Sequence, residues 1–360
     1  MPYIGNPISD FNVSTAMLNT DSVTSIKIDD GTIVNADIND SAAIAKTKLA
    51  ALEIINADVN ASAAIAGSKI SPTFTTDGSF NSISIGKGAN SVAGNTVLGE
   101  SALDDAVTGL NNTAIGNSAL TVLTSGANNT AVGSGALDAN TTASNNTAVG
   151  HNSLTTNTTG ALNVAVGQSV LRDNSTGTLN TAVGGHSMIK NQTGIENVSI
   201  GTSALEDNTS GDSNVAVGRS ALGSNTTADS NTGVGRSALG ANTTGSHNVA
   251  LGYQALDANT TAGYNTAVGS NALGANTTGH TNTAVGNQSL LSNVDGFRNT
   301  GLGSDSLRSN TTGIQNVAVG SFAMDQNTTA SNNTAVGHAA LTANTTGTQN
   351  TAVLLLAGVF

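Results

Sequence analysis

The chain has no cysteine and no tryptophan, and aromatic residues occupy only 2% of its 360 positions. Without thiols it can hold neither a disulfide framework nor a thiolate metal site, although this alone fixes no compartment. Without large rings it cannot fill a three-dimensional core in the usual way. Charge is scarce as well, at 9% of residues where ordinary domains carry about a quarter. The little charge present is acidic: 23 acids face 11 bases, a net charge of −12, which argues against wrapping nucleic acid. No apolar run reaches the roughly 20 residues of a spanning helix, and "TAVLLLAGVF" at 351–360 is the longest candidate. No membrane insertion is expected. "MPYIGNPISDFNV" shows neither a basic nor an apolar signal region, so a soluble product of a cytoplasm is the expectation.

Gly, Ala, Asn, Thr and Ser dominate instead, yet 38% of the residues are hydrophobic, too many for a typical disordered chain. Such a composition calls for a search for repeats. The stretch "NTAVGSNALGANTTGHT" at 265–281 returns, slightly altered, every 17 residues. Its closing glycine gives the series Gly99, Gly116, Gly133, Gly150, Gly167, Gly184, Gly201, Gly218, Gly235, Gly252, Gly269 and Gly286, continued by Gly303, Gly320 and Gly337. No interval departs from 17. Asn lies four before each anchor, and Val, Ile or Leu immediately before it. Leu lies four after it, as at Leu137, Leu154 and Leu171, replaced only by Met188 and Met324. Asn lies seven after it in 13 of 15 copies, as at Asn140, Asn157 and Asn174; Ala106 and Leu123 are the departures.

A helical repeat would need apolar residues at 3.6-residue spacing and would not tolerate this density of Gly, Asn and Thr. "NTAVG" and "NVAVG" alternate β-branched residues with Ala, which is a strand pattern. The anchor glycine and "NTTG" supply two turns per unit. The expected fold is all-β, a parallel β-solenoid (β-roll or β-helix) of about fifteen 17-residue coils over 95–353, stacked in the same register throughout. At about 4.8 Å per rung it should extend for about 70 Å. In this reading the branched residue before the anchor, and the Thr or Val two earlier, point into the coil against the Leu. The Ala between them (Ala131, Ala148, Ala165, Ala182) faces outward, where another chain can approach. Stacked asparagines form ladders along the axis, and the anchor glycine takes a positive φ or a tight corner.

Residues 1–78 follow a different rule. "IVNADINDSAAIAKTKL" from Ile33 and "IINADVNASAAIAGSKI" from Ile54 are offset by 21. With few large apolar residues, this segment reads as an extended, intertwined attachment piece whose core exists only among several copies; a flexible linker is the alternative. Residues 79–94 bridge to a degenerate first rung around Gly86, and 354–360 form an apolar C-terminal cap or a truncation.

The "N-[TV]-A-[VI]-G" segments resemble the head repeats of trimeric autotransporter adhesins, a family of left-handed parallel β-rolls packed as trimers, although the family's repeat is shorter than 17. The longer unit, with "NADI..SAAIA.SKI" and "MPYIGN" near the N-terminus, resembles tail-fibre and appendage proteins of bacteriophages, especially cyanophages. The resemblance implies a homotrimer, attachment to a virion base or tail protein through the N-terminal segment, and contact with host-surface glycans. It places the protein in the virion after assembly in the host cytoplasm; an extracellular or cell-surface setting is the alternative.

Little chemistry is legible, and no catalytic, cofactor or metal site is expected. Asp212 and Asp229 fall one rung apart at one phase, a separation compatible with a retaining glycosidase, but both follow a turn Gly or Ala where Asp is common. Arg219 and Arg236 stack in the same way and could compensate them. Tyr253, Tyr264, Phe297 and Phe322 interrupt small-residue phases and could stack on sugar rings. "NTT" and "NNT" match N-glycosylation acceptors. A structural fibre is therefore the leading expectation, ahead of a bacterial adhesin or extracellular filament, an ice-binding solenoid using Thr columns, and a glycan-degrading tailspike.

Overall fold

In the computed structural model, which describes residues 78–80 and 83–354, each 17-residue unit makes one short strand and returns to begin the next. Strand β1 (Gly78–Phe80) pairs antiparallel with β2 (Ile83–Gly86), and β2 pairs antiparallel with β3 (Thr96–Gly99). From there every pairing is parallel. In β4 (Thr113–Ile115) and β5 (Thr130–Val132), Thr113 meets Thr130 and Ala114 meets Ala131. The same register holds through β17 (Thr334–Val336) and β18 (Thr351–Val353). The chain thus contains the all-β parallel solenoid of about fifteen coils that equal spacing requires. The expected degenerate rung near Gly86 is instead an antiparallel hairpin laid on β3, where it covers a strand edge that a parallel stack would leave unpaired. The duplication beginning at Ile33, the expected attachment segment before residue 78 and the apolar residues after 354 lie outside the described residues.

The strand alternation is as expected, but its phase is inverted. Ala131, Ala148, Ala165 and Ala182 are fully buried, whereas the flanking Thr130, Val132, Thr147 and Val149 lie on the outer side. The lumen explains why. It already holds one Leu per coil, each of Leu120, Leu137, Leu154 and Leu171 having no exposed surface. At Gly233, which replaces the strand Ala, even a methyl would lie 3.1 Å from the Ala238 carbonyl and 3.3 Å from Leu222. A branched side chain facing that Leu has no room, so the smaller residue goes in.

Volume is matched across this narrow lumen. Gly301 lacks the strand methyl, and the hydroxyls of Ser289 and Ser306, 2.8 Å apart, lie where that methyl would project. Ser199 replaces the Ala in its own rung, and its hydroxyl is held by Ser187 at 2.6 Å and by the Ala204 carbonyl at 2.8 Å. Buried polar atoms are tolerated here because each finds a partner.

Two asparagine columns run inside the wall. Asn140, Asn157 and Asn174 are fully buried. Asn174 Nδ2 donates to Asn157 Oδ1 at 2.8 Å and to the Gly177 carbonyl at 3.1 Å, joining its own turn to the previous rung. The second column lies four residues before the anchors. Asn146 Nδ2 donates to the Gly160 carbonyl, and its Oδ1 accepts the Asn163 amide at 3.0 Å. Among the described residues no buried side-chain nitrogen or oxygen lacks a partner. In the first two rungs, where the seven-after position is Ala106 and Leu123, the neighbourhood turns apolar, with Leu123 and Val107 buried.

The backbone turns sharply at the anchors. Gly116 has φ +131°, and a Cβ there would sit 2.6 Å from the Gly133 carbonyl group, so both conformation and stacking demand glycine. Less expected is that the regular Leu or Met is left-handed in every coil, with φ between 48° and 56°. That conformation costs about 1–2 kcal/mol per residue. Full burial of a Leu side chain returns about 1.5–3 kcal/mol, and axial bonds such as Leu137 N–H to the Ser153 carbonyl at 3.0 Å add to it. Packing and pairing therefore hold a turn that local preference opposes.

Candidate functional site

Three surfaces run the length of the stack, and each follows from the phase of its columns. The first is the outer face of the sheet. Its two columns, from Thr96 and Leu98 to Thr351 and Val353, contain only Thr, Val, Ile and Leu. Val149, Val164, Ile200, Leu251, Leu302 and Val336 are exposed on it. No charged residue interrupts this face.

The second surface is the turn just before the sheet. Here Asp212 and Asp229 do stack one rung apart, but the backbone occupies them. Asp212 Oδ1 accepts the Ile195 amide and Asp229 Oδ1 accepts the Asp212 amide, both at 2.8 Å. Ser246 continues the series by accepting the Asp229 amide at 3.0 Å. A hydroxyl performs the same task, which identifies these carboxylates as caps for turn amides. The expected compensation by Arg219 and Arg236 is not seen; neither forms an ion pair among the described residues. Three of the four dispersed aromatics, Tyr264, Phe297 and Phe322, find histidine neighbours instead. His247 stacks on Tyr264 at 4.9 Å and His280 on Phe297 at 5.0 Å, with ring planes 10° and 14° apart. The spacing is that of successive rungs, so these rings use their faces on each other.

The "NTT" triplets resolve into three roles. Their Asn is buried in the ladder and closed to modification, except Asn344 at its end, which is half-buried. The first Thr bonds along the axis, as Thr243 Oγ1 does to the Thr260 carbonyl at 2.9 Å, and the second Thr is exposed. In "NNT" the leading Asn is exposed, at Asn111, Asn128, Asn145 and Asn332.

The third surface lies beyond the anchors, on the opposite side of the strand from the second. A trough of about 460 Å³ runs past Ser203, Ser220 and Ser237, floored by Gly223 and Gly240. A second, of about 310 Å³, continues it past Gln254, Asn271 and Gly274. Asp257 lines both. Burial holds its carboxyl above the usual range, opposed by a 3.4 Å hydrogen bond from Gln254. Charges pair off along this edge, including at Asp207, which also lines the first trough. Lys190 meets Asp207 at 2.6 Å, which raises the lysine pKa, and Arg308 meets Asp325 at 3.0 Å. The trough escaped the sequence reading because no motif marks it; only glycines at irregular rungs of one phase do.

Among the described residues no cluster of His, Asp or Glu is arranged to hold a metal, and no helix is long and apolar enough to cross a membrane. No family model, curated protein or solved structure matches the chain. The repeated anchors Gly116 to Gly286, with their Leu and Asn columns, take structural positions in the coil.

Proposed function

We propose that the chain is the shaft of a structural fibre, a homotrimeric solenoid that holds host-contacting surfaces away from a phage particle. The observation that carries this reading is the uncharged, β-branched outer face of the sheet. Interface cores are depleted in charge, and the exposures along these two columns amount to an area on the order of 10³ Å² per copy, enough for a specific interface. The occupant proposed is the same chain. A partner must keep contact over about 70 Å of rungs spaced about 4.8 Å apart, and another copy repeats at that same spacing. The Ala columns expected to make this contact lie inside; Thr and Val make it instead.

The resemblance of the repeats and of the N-terminal motifs to phage appendages supports the virion setting, with residues 1–78 holding the base. A bacterial surface adhesin of similar build is the alternative. Light scattering on the full chain tests assembly: the mass should be three times that of one chain, and Val183→Glu with Val217→Glu should reduce it to one. A stable monomer would remove the reading, and thermal hysteresis in that monomer would give the face to ice. Immunogold labelling of purified virions separates the particle from a cell surface.

A further inference from the structure

The trough beyond the anchors is open because its floor residues are glycine, and the backbone does not need glycine there. Gly223, Gly240 and Gly274 are not in the left-handed region, and at the same phase the neighbouring rungs carry Glu206, Asp257 and Leu291. A Cβ on Gly223 would approach nothing closer than the Ser220 carbonyl at 3.3 Å. At Gly240 the Cβ position is taken by Asp257 Oδ1, at 2.7 Å, so this carboxylate leans over the floor of the trough. Glycine has thus made room.

Most polar groups around that room are unused; Asp207, at one end, pairs with Lys190. The hydroxyls of Ser203, Ser220 and Ser237 make no hydrogen bond within the described residues, and Asp257 Oδ1 and the Glu206 carboxylate accept none. Beyond the trough on the same edge the charges are paired, Arg172 with Asp173 and Arg308 with Asp325. The column next to the serines carries exposed Arg219 and Arg236, and Arg236 lies over the exposed Tyr253 ring at 5.6 Å. Hydroxyls repeat along the axis at about 4.8 Å, close to the length of one sugar residue in an extended chain. Carboxylates that accept from paired hydroxyls, neutral donors at regular spacing and an arginine–tyrosine rim together fit a polyhydroxylated ligand.

We propose that the trough between Glu206 and Leu291 binds a neutral hexose polysaccharide laid along the fibre axis. The inference rests on the reading of the chain as a surface-contacting fibre, but the two fail separately: mass reports assembly and saccharide binding reports the trough.

Affinity electrophoresis of the full chain in gels containing dextran, laminarin, yeast mannan or galactomannan tests it, with alginate as the anionic comparison. At least one neutral polymer should retard the protein. Gly223→Leu, which fills the floor with a residue found at the same phase in Leu291, should weaken that binding at least tenfold, and Asp257→Ala should do likewise. Tyr264→Ala, on the other edge, should bind as the parent. Mass should stay that of the parent in all three, and neither trough variant should melt below the parent. Should Gly223→Leu fail to fold, Asp257→Ala carries the comparison, since it removes only carboxylate atoms. Retardation by alginate alone, by no polymer at all, or equally in parent and trough variants would overturn the proposal.

Discussion

Asn191 Nδ2 donates to Asn174 Oδ1 at 2.8 Å, across 17 residues of sequence and one rung of the stack. The same nitrogen donates to the Gly194 carbonyl at 3.1 Å, so a single side chain closes its own turn and clamps the turn before it. The link is repeated from Asn140 to Asn344.

Asn191→Ala should therefore lower stability by about 2–3 kcal/mol, because buried acceptors on both sides lose their donor. Asn191→Asp should be worse, since it replaces the donor with an acceptor facing Asn174 Oδ1. Denaturant titration monitored by circular dichroism reads both. Equal stability of the aspartate variant and the parent would remove the ladder as a stabilising element.

The inverted strand phase gives an opposed pair of outcomes. Ala182→Val overfills the lumen and should cost about 1–3 kcal/mol. Its neighbour Val183→Ala, on the outer face, should leave the melting of a dissociated chain nearly unchanged while weakening self-association. Thermal melts and light scattering at several concentrations separate the two. The reverse pattern would mean that the branched residue faces inward.

Glycines of different phase should respond differently to a methyl group. Gly201→Ala places a Cβ 2.7 Å from the Gly218 carbonyl group at φ +135° and should disrupt its rung, at a cost above about 3 kcal/mol. Gly223→Ala meets no such contact and should be neutral or slightly stabilising by restricting the unfolded chain, by about 0.4–1 kcal/mol. Comparison of the two melts under one buffer checks this directly.

Asp257 provides a test in pH. Partial burial raises its folded pKa above that of the unfolded chain, so the ionised form at neutral pH opposes folding. That opposition is fully present above the folded pKa and fades as pH falls through it. Asp257→Asn should therefore melt slightly higher than the parent at pH 7, with the difference shrinking on acidification. A difference that grows toward low pH would show that the carboxylate stabilises the fold.

The sequence by itself determined the period, the parallel stack and the columns. An interval of 17 without insertion leaves like residues over like, and "NTAVG" supplies strand alternation with a turn at its end. It also held the clue to the phase: an Asn that forms a buried ladder sits two residues before the Ala, so both must face inward. The tertiary structure decided which parity wins, because only the assembled lumen, already filled by Leu137 and its equivalents, excludes a branched partner. It also placed those leucines in a left-handed turn that no local preference favours, and it occupied Asp212 and Asp229 with backbone amides. The trough at Gly223 and Gly240 depends on what neighbouring rungs project into one space, and that is fixed by stacking in three dimensions, where residues 17 apart become neighbours.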